Sequence, residues 1–408
     1  MERSPAVSGN AGPKVRSDCE IKLEITSGGG YSIDLVSKVK ALYGNSIKDL
    51  IKEILKFFGI KNARIGITDS GALPFVISAR LEAAIKQLMV TELEFLPEFN
   101  TQNSYITTRD RSRYARLYLP GNNPSLMINA GLHSADGIIL DLEDSVAPAR
   151  KDEARILVRN ALRRINFYGA ERMVRINQGE RGLKDLHSVI PHNVNLIIIP
   201  KCESADQVRV FENEIMDILG KSGIKNKVFL MPVIETALGV ENAFSIATSS
   251  PDIVALAIGL EDYTADLGVS RTFEGKESFY ARSRLVNASK AAGIQAIDSV
   301  FSDIGDMDAL KDNVLSSRAL GFEGMGCIHP RQIRIIRQGY SPDEKEIAKS
   351  KEIILAFGDA GRNGLGVIAS GSKMIDAPVV EKAWRTVRQA VLLGLLDENW
   401  IEQNNKTQ

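Results

Sequence analysis

From Glu20 to about Gln87 the apolar and polar positions form a short, self-contained pattern. EIKLEIT alternates, as a half-buried strand does when successive side chains point to opposite faces. SGGG supplies a turn, and YSIDLVSKV alternates again. SIKDLIKEILKFFG then places Ile47, Leu50, Ile51, Ile54, Leu55 and Phe58 on one helical stripe, stopped by Gly59. ARIGITDSGALPFVI predicts a strand, an Asp-Ser-Gly turn and a second strand, and ISARLEAAIKQL a closing helix. Residues 1–18, rich in Gly, Pro, Ser and charge, predict a mobile arm, and 19–90 a small α+β domain. The aperiodic, polar stretch 91–112 predicts a linker.

A different rhythm begins near Arg113. RLYLPG, GIILDLED, MVRIN, NLIIIPK, VFLMPVIET, IVALAIGLED, QAIDSV and EGMGCIHP are short apolar runs separated by helical stretches. Strands that are apolar throughout belong to parallel sheets covered by helices. About eight such units fit a TIM (β/α)8 barrel over 113–340 better than an open sheet. Beyond it, over 341–408, two helical patterns flank the Gly-rich GRNGLGVIASGSKMID. A complete barrel does not need them, so they are expected to cover its mouth or a neighbouring subunit.

Composition narrows the class. The 408 residues carry 51 basic and 51 acidic side chains, a balance that gives no electrostatic reason to expect nucleic acid as a partner. No apolar run is long enough to span a membrane, and the first twenty residues lack the apolar core of a secretory signal. Cys19, Cys202 and Cys327 are too few and too scattered for a disulfide framework or a thiolate zinc cage. The expectation is a cytoplasmic enzyme without a membrane anchor.

Barrel chemistry sits at the C-terminal ends of the strands. Those ends carry Asp141, Glu143 and Asp144, then Arg175 and Asn177, Lys201, Glu235, Glu261 and Asp262, Asp298, and His329. An oxygen-rich mouth without thiolates suits a hard divalent cation such as Mg²⁺, with Glu235 and Asp262 on adjacent strands as the best-placed pair. Any one of these acids could instead cap a helix or pair with Arg175 or Lys201. A cation beside Arg175 suits an anionic, bidentate substrate such as a 2-oxo or 2-hydroxy acid. Aldol and Claisen chemistry fit that arrangement, although phosphotransferases and isomerases also use carboxylate-held Mg²⁺ in barrels.

LPGNN (119–123), DLEDSV (141–146), VRIN (174–177), IET-x-x-G (234–239), GLEDY (259–263) and KMIDAPVV (373–380) closely resemble the citrate lyase β-subunit family. That family lies within the HpcH/HpaI aldolase group of citryl-, citramalyl- and malyl-thioester lyases. The resemblance runs from about Arg113 to Leu395. It implies that Glu235 and Asp262 hold Mg²⁺, and that Arg175 binds the oxo-acid carboxylate and steadies an enolate oxygen. Asp141, Glu143 and Asp144 would orient Arg175 and the waters around the metal. Asp376 would serve the acid–base step from the neighbouring subunit of a homotrimer, in addition to capping its own helix. Where similar proteins carry an arginine six residues before the proline of LPGNN, this chain has Tyr114. Arg113 and Arg116 flank it as candidate contacts to thioester phosphates, with a solvated linker as the alternative for Arg113. Lys201 and His329 are further binding candidates, His329 with the alternative of packing a helix start.

The N-terminal region resembles the citrate lyase γ-subunit, an acyl carrier, through EIKLEI, ALYGNSIKDLIKEIL and DSGALPFVISARLEAAIK. A carrier fused to its lyase would raise the local thioester concentration to roughly millimolar. In the resembled carrier a phosphoribosyl-dephospho-CoA arm hangs on a serine two residues before an aspartate. Here that position is Arg16, and Ser17 follows one residue late. Either Ser17 carries the arm, loaded by an α-like transferase subunit, or the domain has lost attachment and serves docking or assembly.

The expected function is therefore Mg²⁺-dependent cleavage of a 3-hydroxy-3-carboxyalkyl thioester, on CoA or on the carrier, to a 2-oxo acid and an acyl thioester. A thioesterase or a 2-oxo acid aldolase on the same site, and a non-catalytic carrier or assembly subunit, are the alternatives.

Overall fold

The structure is a computed structural model that describes residues 4–362, 368–370 and 373–401. The chain divides into two compact units, Met1–Ile333 and Arg334–Gln408. The small N-terminal sheet and the barrel thus share the first unit, and the division falls inside the helix Pro330–Tyr340 rather than after it.

The N-terminal sheet contains β1 (Ala6–Gly9), β2 (Cys19–Ile25), β3 (Tyr31–Ser37) and β4 (Ala63–Asp69), in the order β1-β2-β4-β3. The helix Lys40–Phe57 crosses from β3 to β4, which pair in parallel, while β1–β2 and β2–β4 are antiparallel. Ile21, Leu23, Ile65 and Ile67 alternate onto one face and meet Ile47, Ile51, Ile54 and Leu55, spaced as one helical stripe.

Two expectations for this region are corrected. Residues 6–9 are not part of a mobile arm, because β1 pairs with β2 along its whole length. The second strand expected after the Asp-Ser-Gly turn is instead the start of a helix, Pro74–Leu88. Asp69 Oδ1 accepts from the N–H groups of Gly71 and Ala72, closing the turn, and Pro74 then sits at the helix start. Every residue from Phe75 to Ile85 is buried, between the sheet and the barrel helix Lys151–Arg164. Burial on both faces removes the helical period that the sequence would otherwise show.

Residues 91–112 contain no regular element except the 3₁₀ turn Thr101–Asn103, yet they are tied to the barrel. Asn103 Nδ2 donates to the Ile165 carbonyl at 2.5 Å and the Tyr105 hydroxyl to the Ala170 carbonyl at 2.7 Å.

The barrel strands are β5 (Ala115–Pro120), β6 (Gly137–Asp141), β7 (Glu171–Arg175), β8 (Leu196–Ile199), β9 (Phe229–Ile234), β10 (Ala255–Ile258), β11 (Gln295–Ile297) and β12 (Met325–Cys327). They hydrogen-bond in the order β11-β10-β9-β8-β7-β6-β5-β12, and each pair is parallel. An isolated parallel bridge between Asp298 and Met325 closes the ring. All eight expected apolar runs supply a strand. Alternate residues such as Leu196 and Ile198, Met231 and Val233, and Ala255 and Ala257 fill the interior.

In the second unit the helices Glu344–Arg362 and Ala377–Leu392 flank an antiparallel pair, β13 (Ile368–Ser370) and β14 (Lys373–Ile375). Ile354, Ala383, Val387 and Trp400 form its core. Among the described residues no helix is long and apolar enough to cross a membrane.

Candidate active site

Parallel strands put all their carboxyl ends at one rim, and a cavity of about 950 Å³ opens there. Asp141, Asp144, Arg175, Glu235, Glu261 and Asp262 line it, together with an apolar wall from Leu119, Pro120, Leu126 and Ile328.

Arg175 ends β7 beside Asp141, its register partner on β6. Nε donates to Asp141 Oδ1 at 2.7 Å and Nη2 to Oδ2 at 2.8 Å, a fork that fixes the guanidinium plane. Nη1 faces Glu143 at 3.0 Å and Asp144 at 3.2 Å. Burial opposes the charge of Asp141, but the hydrogen bonds and charge of Arg175 prevail and hold this carboxyl below the usual range. Glu143 is pushed the other way by burial, against the opposing charge of Arg175 and with help from Asp144.

Glu235, just past β9, is 2% exposed. Its Oε1 accepts the Lys201 backbone N–H at 2.7 Å. Oε2 rests against Gly259, where a Cβ would come within 2.3 Å, so only glycine leaves room for this carboxylate. Burial pushes Glu235 up to about 8; the Lys201 N–H works against this, while Asp262 and Glu143 add to it. Lys201 adopts φ 45°, a left-handed backbone that a non-glycine residue seldom takes. That turn aims its backbone N–H at Glu235 and its ammonium at Asp262 (3.2 Å), Glu143 (3.8 Å) and Asp144 (4.0 Å).

These residues fit a divalent cation. Among the described residues no three His, Cys, Asp or Glu side chains form a ready metal cage. Mg²⁺ needs none, because it is commonly held by one or two carboxylates and completes its octahedron with water and substrate oxygens. Glu235, raised by burial first and then by Asp262 and Glu143, would regain its charge beside a cation. Glu235 and Asp262 would hold the ion.

Other candidates lie elsewhere. Arg113 precedes β5 and sits at the opposite end of the barrel, wholly buried, with Nε and Nη2 on Glu171 at 2.7 and 2.9 Å and Nη1 on Gln295 at 3.0 Å. It is neither a phosphate contact nor a solvated linker residue, because a residue before a barrel strand belongs to the floor. Arg116 points inward, 1% exposed, with Nη1 2.9 Å from Met231 Sδ, so it lines the cavity below the rim where phosphates would lie. Glu261 and Asp298 are engaged by Arg271 and Arg282. His329 lines the cavity while its Nδ1 accepts from the Arg331 N–H at 3.2 Å, so it packs a helix start as well. Asp376, in the second unit, caps the helix Ala377–Leu392 by accepting the Val379 N–H at 3.2 Å. Ser17 is half-buried at φ 55°, with its N–H on the Ser70 carbonyl, and Arg16 is exposed.

Tyr118 is among the lining residues that strand ends alone do not pick out. Tyr118 faces inward with the Arg175 guanidinium 5.4 Å from its ring centroid. Its place two residues before Pro120, on the inward alternation of RLYLP, was the available signal.

Residues 114–330 match the HpcH/HpaI aldolase/citrate lyase family, and residues 6–88 match the acyl-carrier family described as malonate decarboxylase delta subunit. Citrate lyase subunit beta of Leuconostoc mesenteroides subsp. cremoris is 37% identical over 72% of this chain and 99% of its own length. Human mitochondrial citramalyl-CoA lyase is 31% identical over 68% of this chain and 85% of its own. The crystal structure of protein CitE from Mycobacterium tuberculosis in complex with magnesium, acetoacetate and coenzyme A superposes with a TM-score of 0.57. It is 30% identical and covers 69% of this chain and 99% of that one. With its barrel matched over more than half its length, the chain belongs to the HpcH/HpaI aldolase/citrate lyase family.

Proposed function

We propose that this chain is a Mg²⁺-dependent lyase that cleaves a 3-hydroxy-3-carboxyalkyl CoA thioester to a 2-oxo acid and an acyl-CoA. The observation that carries the reading is one cavity lined by a fixed guanidinium, Arg175, by the buried carboxylate Glu235, and by Asp262, which Lys201 partners at 3.2 Å. Relatives named as citrate lyase β-subunits and citramalyl-CoA lyase, and a neighbour crystallised with magnesium and coenzyme A, support it.

A bound Mg²⁺ would supply Lewis-acid polarisation of the oxygen on the reacting carbon. Arg175 offers Nη1 to the substrate carboxylate, in exchange for Glu143 and Asp144, while Asp141 keeps the guanidinium plane fixed. In the cleavage direction the hydroxyl loses its proton and its electron pair becomes the C=O of the oxo acid. The carbon–carbon bond then breaks, its electrons pass to the thioester carbonyl as an enolate, and the enolate carbon takes a proton. Preorganised donors at such an oxygen are worth about 10²–10³ in rate. Asp376 from the neighbouring subunit of a trimer is the proposed donor of that proton. The apolar wall of Leu119, Pro120 and Leu126 suits the pantetheine stem.

The test is incubation with citryl-CoA, citramalyl-CoA and malyl-CoA, with Mg²⁺ or with EDTA, scoring oxaloacetate, pyruvate or glyoxylate. Release of CoA without an oxo acid would establish a thioesterase instead. Mixing inactive Asp262→Ala and Asp376→Ala proteins should restore part of the activity if Asp376 acts across subunits. Intact mass of protein from its native host addresses the carrier: an added mass lost in Ser17→Ala would mean an attached arm.

A further inference from the structure

We infer that the N-terminal domain is a fixed brace for the two loops that follow β5 and β6, and that Arg80 is the positioning residue through which it holds the first. The inference uses the lyase reading only for its kinetic readout.

Arg80 is completely buried on the helix Pro74–Leu88. Its Nε and Nη2 fork onto Asp18 at 3.0 and 2.9 Å, within its own domain. Two further contacts leave that domain. Nη1 lies 3.2 Å from Glu153 on the barrel helix, and Nη2 donates to the Asn122 carbonyl at 2.9 Å. Asn122 belongs to the LPGNN turn, which continues into Ser125, Leu126 and Asn129 on the cavity wall.

β1 braces the second loop. Glu153 Oε2 accepts from the Ser8 hydroxyl at 2.8 Å and from the Gly9 N–H at 3.0 Å. Arg150 Nη2 returns a bond to the Gly9 carbonyl at 2.9 Å and to Asn10 Oδ1 at 3.1 Å. The intervening Lys151 donates to the carbonyls of Leu142 and Glu143 at 3.2 and 2.9 Å, inside the segment that orients Arg175. A second buried fork, Arg159 onto Glu82 at 2.8 and 2.7 Å, fastens the helices together.

A carrier domain that itself moves between stations must detach from each. Detaching this domain would break the Arg80–Glu153 and Arg159–Glu82 pairs and the Arg80–Asn122 bond, stripping these buried charges of their partners across the joint, or expose a face that is now dry. Asp18, beside the arm position of the resembled carriers, is part of this lock, and Arg16 stands where the attachment serine would be. The domain is therefore built to stay, and what it fixes is the wall that faces the thioester.

Hydrogen exchange, thioester kinetics and calorimetric Mg²⁺ binding on the full chain test this with Arg80→Met and Arg80→Lys. The lysine variant keeps a buried cation for Asp18 and Glu153 and so guards against simple failure to fold, but it lacks the fork that also reaches Asn122. In both variants the amides of residues 121–129 should exchange at least about tenfold faster. The KM for the thioester should rise about five- to tenfold, with kcat within about twofold and Mg²⁺ affinity unchanged. A general loss of structure would instead move kcat and Mg²⁺ binding together with KM. Unchanged exchange at 121–129 in Arg80→Lys overturns the brace. A wild-type protein that cleaves no thioester overturns the lyase reading alone, since the exchange comparison needs no substrate.

Discussion

The domain junction and the barrel mouth both bury charge, and they do so in opposite ways. At the junction each buried cation meets matching carboxylates: Arg80 with Asp18 and Glu153, Arg159 with Glu82 and Glu94. At the mouth Asp141, Glu143, Asp144, Glu235 and Asp262 share Arg175 and Lys201. Burial opposes both Glu94 and Glu235, yet His192 and Arg159 hold Glu94 down at about 2, whereas Glu235 rises to about 8. A balanced cluster is a joint. A cluster with surplus charge of one sign is a site awaiting a ligand of the other.

The largest expected effect of breaking this contrast is at the mouth. Asp262→Asn should reduce thioester cleavage about 10²–10³-fold with little change in melting temperature, because a partly exposed acid is being asked for function and not for stability. Parallel losses of stability and activity would erase the distinction. At the junction Arg159→Met should cost about 3–5 kcal/mol in urea unfolding, by removing the buried fork and leaving Glu82 only Lys86 and the Phe95 N–H, with kcat of the folded protein changed by less than about twofold.

The two regions should also respond to pH with opposite signs. Glu94 binds its proton more weakly in the folded state. Its stabilisation is present above the ordinary carboxylate range and is lost as pH falls toward 2. Glu235 binds its proton more tightly when folded, so metal-free protein should lose stability as pH climbs from the ordinary range toward 8. Melting temperatures of EDTA-treated protein should show that fall between the ordinary carboxylate range and about 8, and Glu235→Gln should flatten it. The smallest effect concerns Lys201, whose ammonium competes for the same carboxylates. Lys201→Met should tighten Mg²⁺ binding about fivefold, close to 1 kcal/mol, by calorimetry at low salt. Weaker binding would mean that Lys201 orders the carboxylates instead.

The eight barrel strands were legible because a sheet covered on both faces writes near-continuous apolar runs. The site acids were legible because barrel chemistry occupies strand ends, a positional rule that needs no contact information. Arg113 and Arg116 show where that reading stops. Three residues apart, one forks onto Glu171 in the floor and the other lines the cavity, because one precedes β5 and the other lies within it on the inward alternation. The helix Pro74–Leu88 begins with a strand-like pattern because two partners bury it and hide its period. β1 has the composition of an arm because nothing local in it reports Glu153, far along the chain, which accepts from Ser8 and Gly9.

The sequence by itself determined the barrel, the family and the acids at its rim, since each is written in local periodicity or contiguous motifs. Tertiary structure alone decided which charges are spent on one another and which remain for a ligand. It also decided that the carrier-like domain is fastened to the catalytic loops. Both depend on pairs distant in sequence, such as Arg80 with Asn122 and Arg159 with Glu82, whose energies arise only when folding removes the water between them.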